Sequence, residues 1–246
     1  MDELLALLER YAPGYHHQLQ GVSSWNLDKL EEVFGQPLPE FYRDFALAMG
    51  KDGGPLLADV DAYDPFHIAD LYQVVPPSEL PPRRFLYVLG DPSLDAQHYW
   101  LDLETPSEDA DGRVLRIPFG KEAWKRHSAP LYANLREMLF MWAMSKLHLP
   151  SFPLHAAYYR SARHTSPEDL PEAEAVARIF ERLGFVRLPY PRRCLLLERD
   201  DAAISLYRSP DEPGFSFRVG MQTPEELRRF QAVLEDIQGL AKDRRT

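Results

Sequence analysis

The stretch LPEFYRDFALAMGKDGG, residues 38–54, constrains the fold more than any other part of the chain. Leu38, Phe41, Tyr42, Phe45 and Met49 recur at the three- and four-residue spacing that lines up side chains along one stripe of a helix. Pro39 falls in the first turn, where its missing N–H costs nothing. Gly50 is expected to supply the left-handed stop, with Gly53 and Gly54 letting the chain turn sharply afterwards. A helix with that entry and exit has to lay its aromatic stripe on a second layer. These residues are read as makers of the fold. The glycines do not form a nucleotide loop, because they follow a helix and Pro55 comes next, whereas a phosphate loop needs a strand before it and a helix after it.

Around this stretch the periodicity alternates between helix and strand. Residues 2–11 predict a helix with Leu4, Leu5 and Leu8 inside, followed by a turn through PGYHHQLQG. Asn26 is expected to cap a helix carrying Leu27, Leu30, Val33 and Phe34, which Gly35 ends. Residues 52–84 are proline-rich and acidic, with short strands expected near Leu56 and Val74. Strands are predicted at 85–91, 98–104 and 113–119, with SEDADG as a turn, which together suggest an antiparallel meander. In HYWLDLE, Tyr99, Leu101 and Leu103 take one face and Trp100, Asp102 and Glu104 the other. A long helix is expected from Ala129 to Leu147.

LPSFP, residues 149–153, reads as a hinge between a domain at 1–148 and a smaller one at 154–246. The smaller one predicts a helix at 172–183, strands at 194–198, 202–207 and 215–219, and a last helix. Thr223, Pro224 and Glu226 open that helix as a capping box. The expected class is α+β, N-terminal helices packed on an antiparallel sheet and then an α-β-β-β-α domain.

Charge narrows the choice of function. The chain carries a net charge of -10 at pH 7. Residues 52–111 alone hold 13 acids against two bases, Arg83 and Arg84, while residues 151–246 hold 15 of each sign. An acidic segment of this kind repels nucleic acid and anionic membrane and steers a basic partner. No apolar run approaches the roughly 20 residues of a membrane helix. One cysteine, Cys194, excludes an internal disulfide and fits a cytoplasmic protein. It opens the apolar strand CLLLE and reads as a small buried side chain rather than a nucleophile. None of the eight histidines forms an H-x3-H pair with a nearby acid, and there is no C-x2-C, so no metal and no cofactor is expected. Asp59 with Asp61, and Asp102 with Glu104, are carboxylate pairs that read as a solvated or partner-facing surface before they read as catalytic.

The order of elements resembles the SUKH superfamily, whose members are similar to a eukaryotic regulator of cell-wall synthesis and include many bacterial immunity proteins. The resemblance rests on the Leu-Pro helix, Leu38, Pro39, Phe41, Tyr42, Phe45, Ala46, Gly50 and Gly53, with Met49 where asparagine is common. LDKLEEVFGQP before it, then FLYVLGD, HYWLDLE, GRVLRIPF and YANLREMLFMWA after it, extend the resemblance over about residues 22–147. Residues 154–246 resemble no family. The resemblance implies a binding protein without catalysis, an immunity protein that occludes a basic toxin domain, a nuclease among the possibilities. Covering about 800 Å² of a toxin is enough to block it. The acids expected on that surface are Asp59, Asp61, Asp64, Asp91, Asp95, Asp102 and Glu104, with Tyr63, Phe66 and Trp100 as aromatic anchors. A regulatory scaffold and an enzyme with an interdomain site are the alternatives.

Overall fold

The structure, a computed structural model, describes residues 1–61, 63–91, 97–106, 111–160, 172–211, 214–237 and 239–243. It is an α+β protein whose strand pairs are all antiparallel among the described residues, and the chain divides into two compact units, Met1–Leu139 and Phe140–Thr246.

The first unit opens with α1 (Asp2–Tyr11), which buries Leu4, Leu7 and Leu8 and carries Asp2 and Glu3 in its first turn, where the helix dipole favours acids. The chain then makes a 3-10 turn and a two-residue strand, β1 (Leu19–Gln20). α2 (Ser24–Phe34) starts earlier than expected. Ser23 is its N-cap, and Asn26 sits within the first turn, accepting a hydrogen bond from the Ser23 hydroxyl at 2.5 Å. Gly35, with φ 87°, ends it in the left-handed conformation.

α3 (Glu40–Met49) follows Pro39 and buries Tyr42, Phe45, Ala46 and Met49, while Phe41 is only half-buried. Gly50 corrects the expected stop. Its φ of -72° is right-handed, and the first left-handed residue after it is Gly54, with φ 60°. Closer packing is demanded at Gly21, before α2, where a Cβ would sit 1.7 Å from the Leu47 carbonyl oxygen. β2 (Asp52–Gly53) pairs with β1.

The segment expected to be irregular contains a full helix, α4 (Pro65–Val74). Asp64 caps it by accepting from the Phe66 N–H at 2.8 Å, and Pro65 takes the first helical position. Leu56 lies in a 3-10 turn and Val74 at the helix end, so neither belongs to a strand. Four strands follow as a meander, β3 (Phe85–Gly90), β4 (Gln97–Pro106), β5 (Gly112–Pro118) and β6 (Ala129–Tyr132), with a short helix, α5 (Trp124–His127), before the last. Of the expected SEDADG turn, residues 107–110 lie outside the described residues. The long helix expected from Ala129 begins instead as the edge strand β6. Pro130 disfavours helix at Ala129, and an edge strand tolerates a proline.

α6 (Leu135–Trp142) comes next. Its N-terminus is satisfied by buried polar side chains: Asp111 accepts from the Leu135 N–H at 3.0 Å, Asn134 from Glu137 N–H at 2.7 Å, and Glu137 from Ala133 N–H at 3.0 Å. The helix continues as a π-helical stretch, Ala143–His148. The expected hinge holds a 3-10 turn, Leu149–Ser151, followed by buried Phe152.

The second unit is built on β7 (Leu154–Arg160), α7 (Ala173–Arg182), β8 (Val186–Arg187), β9 (Leu195–Arg199), β10 (Ala202–Arg208), β11 (Phe215–Met221), α8 (Pro224–Glu235) and β12 (Leu240–Lys242). Its sheet has six strands in the order β12-β7-β11-β10-β9-β8, three more than expected. β8 and β12 have two and three residues, too few for alternation to be seen. Val176 and Phe180 of α7 and Phe230 and Leu234 of α8 pack on Leu195, Ile204, Phe217 and Val219 of the sheet. α8 starts as expected, with the Thr223 hydroxyl accepting from the Glu226 N–H at 3.3 Å. Cys194 is fully buried and accepts from the Arg208 N–H.

Candidate functional site

The residues expected on the acidic surface fall at three places in the first unit. The first is the far end of β3. Asp61 exchanges both backbone hydrogen bonds with Gly90, at 3.1 and 2.8 Å. A Cβ at Gly90 would lie 2.2 Å from Asp61 Oδ1 and 3.0 Å from the Tyr87 hydroxyl, so glycine makes the room in which these groups meet. The Tyr87 hydroxyl is in turn 3.3 Å from His98 Nδ1. A bulge between Tyr87 and Leu89 puts Tyr87 opposite Trp100 and Leu89 opposite Tyr99. The Tyr99 hydroxyl donates to Asp91 at 3.3 Å. Asp61 is exposed and Asp91 half-buried. Asp59 is exposed just upstream. Asp95 lies outside the described residues.

His98 is the titratable group this arrangement perturbs. Burial pushes its imidazole below the ordinary value of 6.5, against the pull of Asp61 and Asp91. A histidine that resists protonation when folded binds fewer protons than the unfolded chain, so its contribution is present above the unfolded value and lost as pH falls. The urea midpoint of the first unit is therefore expected to drop from about pH 7.5 to about pH 5.5, and to drop less in His98→Gln. Equal drops in both proteins would show that His98 does not set the slope.

The second place corrects two expectations. Trp100 is 0 % exposed and donates its indole N–H to the Ile117 carbonyl at 3.0 Å, between Tyr87 and Phe119. It anchors the sheet and presents no accessible surface. Asp102 is 4 % exposed and accepts from Arg84 at 3.1 Å and from Glu104 N–H and Thr105 Oγ1, each at 3.2 Å. Glu104 is exposed and takes the other arm of the Arg84 fork at 2.8 Å. Tyr99, Trp100, Leu101 and Asp102 are all buried, so side chains of both faces of the strand are covered here.

The third place is the start of α4. The Tyr63 hydroxyl accepts from Gly53 N–H at 3.3 Å, Asp64 caps the helix, and Phe66 lies half-buried with the Lys29 ammonium 4.5 Å from its ring centre. Lys29 also sits 5.8 Å from the ring of Trp25 and 3.6 Å from Asp70. Trp25, 62 % exposed, was missed as an anchor. The signal was present: it lies off the Leu27–Leu30–Phe34 stripe of its helix. Large exposed tryptophans are typical of binding surfaces.

No basic side chain among the described residues lies within ion-pair distance of Asp52, Asp61 or Asp64. Arg84 is occupied by Asp102 and Glu104, and Arg83 stacks 4.3 Å from the Tyr72 ring centre. Among the described residues no three His, Cys, Asp or Glu side chains are grouped to hold a metal ion, and no helix is long and apolar enough to cross a membrane. Against known proteins, no family model matches the chain and no curated protein matches it.

Proposed function

We propose that this chain is a non-catalytic binding protein of the cytoplasm, an immunity protein of the SUKH type that captures a basic toxin domain through the first unit. The observation that carries the reading is the imbalance of charge left on the surface. Residues 52–111 contribute 13 acids and two bases, one of those bases is held by Asp102 and Glu104, and Asp52, Asp59, Asp61 and Asp64 remain exposed or half-exposed. Such a field speeds capture of a basic cleft and places carboxylates where the phosphates of a nucleic-acid substrate would sit. Trp25 and Phe66, beside Asp64 and Asp70, supply the apolar contact that charge alone lacks. The Leu-Pro helix and the strand order that resemble the SUKH superfamily support the same reading.

The test is a pull-down from lysate of the source organism with the full chain as bait, at low and high salt. One stoichiometric basic partner, lost as salt rises, is the expected result. Several weak partners would make the chain a scaffold, and none at either salt would end the capture reading.

A further inference from the structure

α2 and α4 run side by side in the same direction. Lys29 of α2 lies 4.5 Å from the Phe66 ring centre and 3.6 Å from Asp70, and further along both helices the Phe34 ring meets Tyr72 at 5.4 Å. Leu27, Leu30 and Phe34 of α2 and Ile68, Ala69 and Tyr72 of α4 are buried. The residues that helical spacing turns the other way form three steps on the outer face: Trp25 and Phe66 on either side of Lys29, then Lys29 with Asp70, then Val33 and Val74, each four residues on. Trp25 is 62 % exposed and Val74 79 %, while Phe66 and Val33 are half-buried. The two apolar steps stand about 12 Å apart, eight residues at the helical rise. The same face is acidic. Asp28, Glu31 and Glu32 of α2, Asp64 at the α4 cap and Asp70 stand against Lys29 and Arg43, five acids to two bases. Lys29 is held by Asp70, and Arg43 of α3 by Glu31 at 2.7 Å and Asp28 at 3.6 Å. Glu32 is exposed and has no ion pair among the described residues.

We propose that this outer face docks a basic amphipathic helix of the captured partner, lying along the furrow between α2 and α4. The proposal rests on the capture reading and names the element of the partner that is gripped. Two parallel helices leave a furrow into which a third can pack, and the two apolar steps match side chains two turns apart on it. Lysines or arginines flanking that apolar stripe meet Glu32 and Asp64. An extended segment fits worse, because its backbone N–H and C=O groups need a sheet edge and this face is built of two helices. A second copy of this chain would bring like charge against like charge, and an anionic membrane would be repelled in the same way. Internal packing does not account for Trp25 and Val74, which expose most of their surface on the same acidic face.

The experiment titrates the full chain into a fluorescently labelled synthetic peptide of leucine and lysine, about four helical turns long, with its leucines on one stripe. One control peptide has the same residues reordered so that the leucines surround the helix, and the other has glutamate in place of every lysine. The striped basic peptide is expected to bind at least about tenfold more tightly than either control. Trp25→Ala and Val74→Lys should each weaken it about tenfold, and each should release the partner recovered in the pull-down. Both side chains are exposed, so both variants are expected to unfold at the native urea concentration, which shows that they fold. Equal binding of the striped and reordered peptides, or native-like binding of the striped peptide by either variant, would overturn the proposal. Retention of the basic partner by either variant would overturn it too while leaving capture standing. Absence of any partner, with the striped peptide still bound and still weakened by both variants, would end the toxin reading and keep the helix-binding face.

Discussion

Trp100→Ala is expected to destabilise the first unit by about 3–5 kcal/mol, in the range of large aromatic truncations in a core. The indole is fully buried, with Tyr87 edge-on at 5.0 Å and Phe119 edge-on at 5.7 Å. Tyr87 and Phe119 are themselves stacked at 5.9 Å, and His98 lies 4.3 Å from Phe119, so removing Trp100 takes the wall from a four-ring cluster. It also takes the indole N–H from the Ile117 carbonyl. Trp100→Phe, which refills much of the space, should cost less. Urea unfolding followed by far-UV circular dichroism measures both. An exposed anchor would lose no more than about 0.5 kcal/mol on truncation, so a small effect would restore Trp100 to the surface.

Phe180→Ala is expected to have a comparable effect on the second unit, again about 3–5 kcal/mol. Phe180 is fully buried on α7 and its ring meets Phe217 of the sheet at 5.1 Å, Phe230 of α8 at 5.5 Å and Phe185 at 6.3 Å. It links α7 to both the sheet and α8, and Phe217 passes the contact on to Tyr158 of β7 at 5.0 Å. Hydrogen exchange at the β9–β11 amides reports the loss directly. Unchanged protection there would mean that Phe180 is not central to this core. Phe180→Leu, keeping apolar volume, is expected to retain most of it.

The sequence displays those elements whose signals are local. The capping box at Thr223–Glu226, the Leu-Pro helix, β3 to β5 and β9 to β11 are legible because capping and periodicity act over a few residues, whereas the seven-residue β7 was missed. α4 was legible in its Asp64-Pro65 start and in the single buried stripe of Pro65, Ile68, Ala69 and Tyr72, but was hidden by the surrounding prolines. β1, β2, β8 and β12 are two or three residues long and exist only through their partners. Gly50 shows the limit of composition, since glycine permits the left-handed stop without requiring it. At the candidate site, strand alternation put Trp100 and Asp102 on one face but did not show that this face is covered. The meeting of Asp61, Tyr87 and His98 depends on a bulge and on the missing Cβ of Gly90, and neither can be read along the chain.

Charge reversal tests the central claim most directly. Asp52, Asp59 and Asp61 would be changed together to lysine, leaving the α4 cap Asp64 in place, and the full-length variant used beside the native chain in the low-salt pull-down, with unfolding of each bait measured in parallel. Loss of the basic partner by a variant that unfolds at the native urea concentration is the expected result, because these carboxylates face solvent while Trp100 and Asp102 hold the fold. Retention of the partner, with the same salt dependence as the native chain, would contradict an acidic capture surface on the first unit.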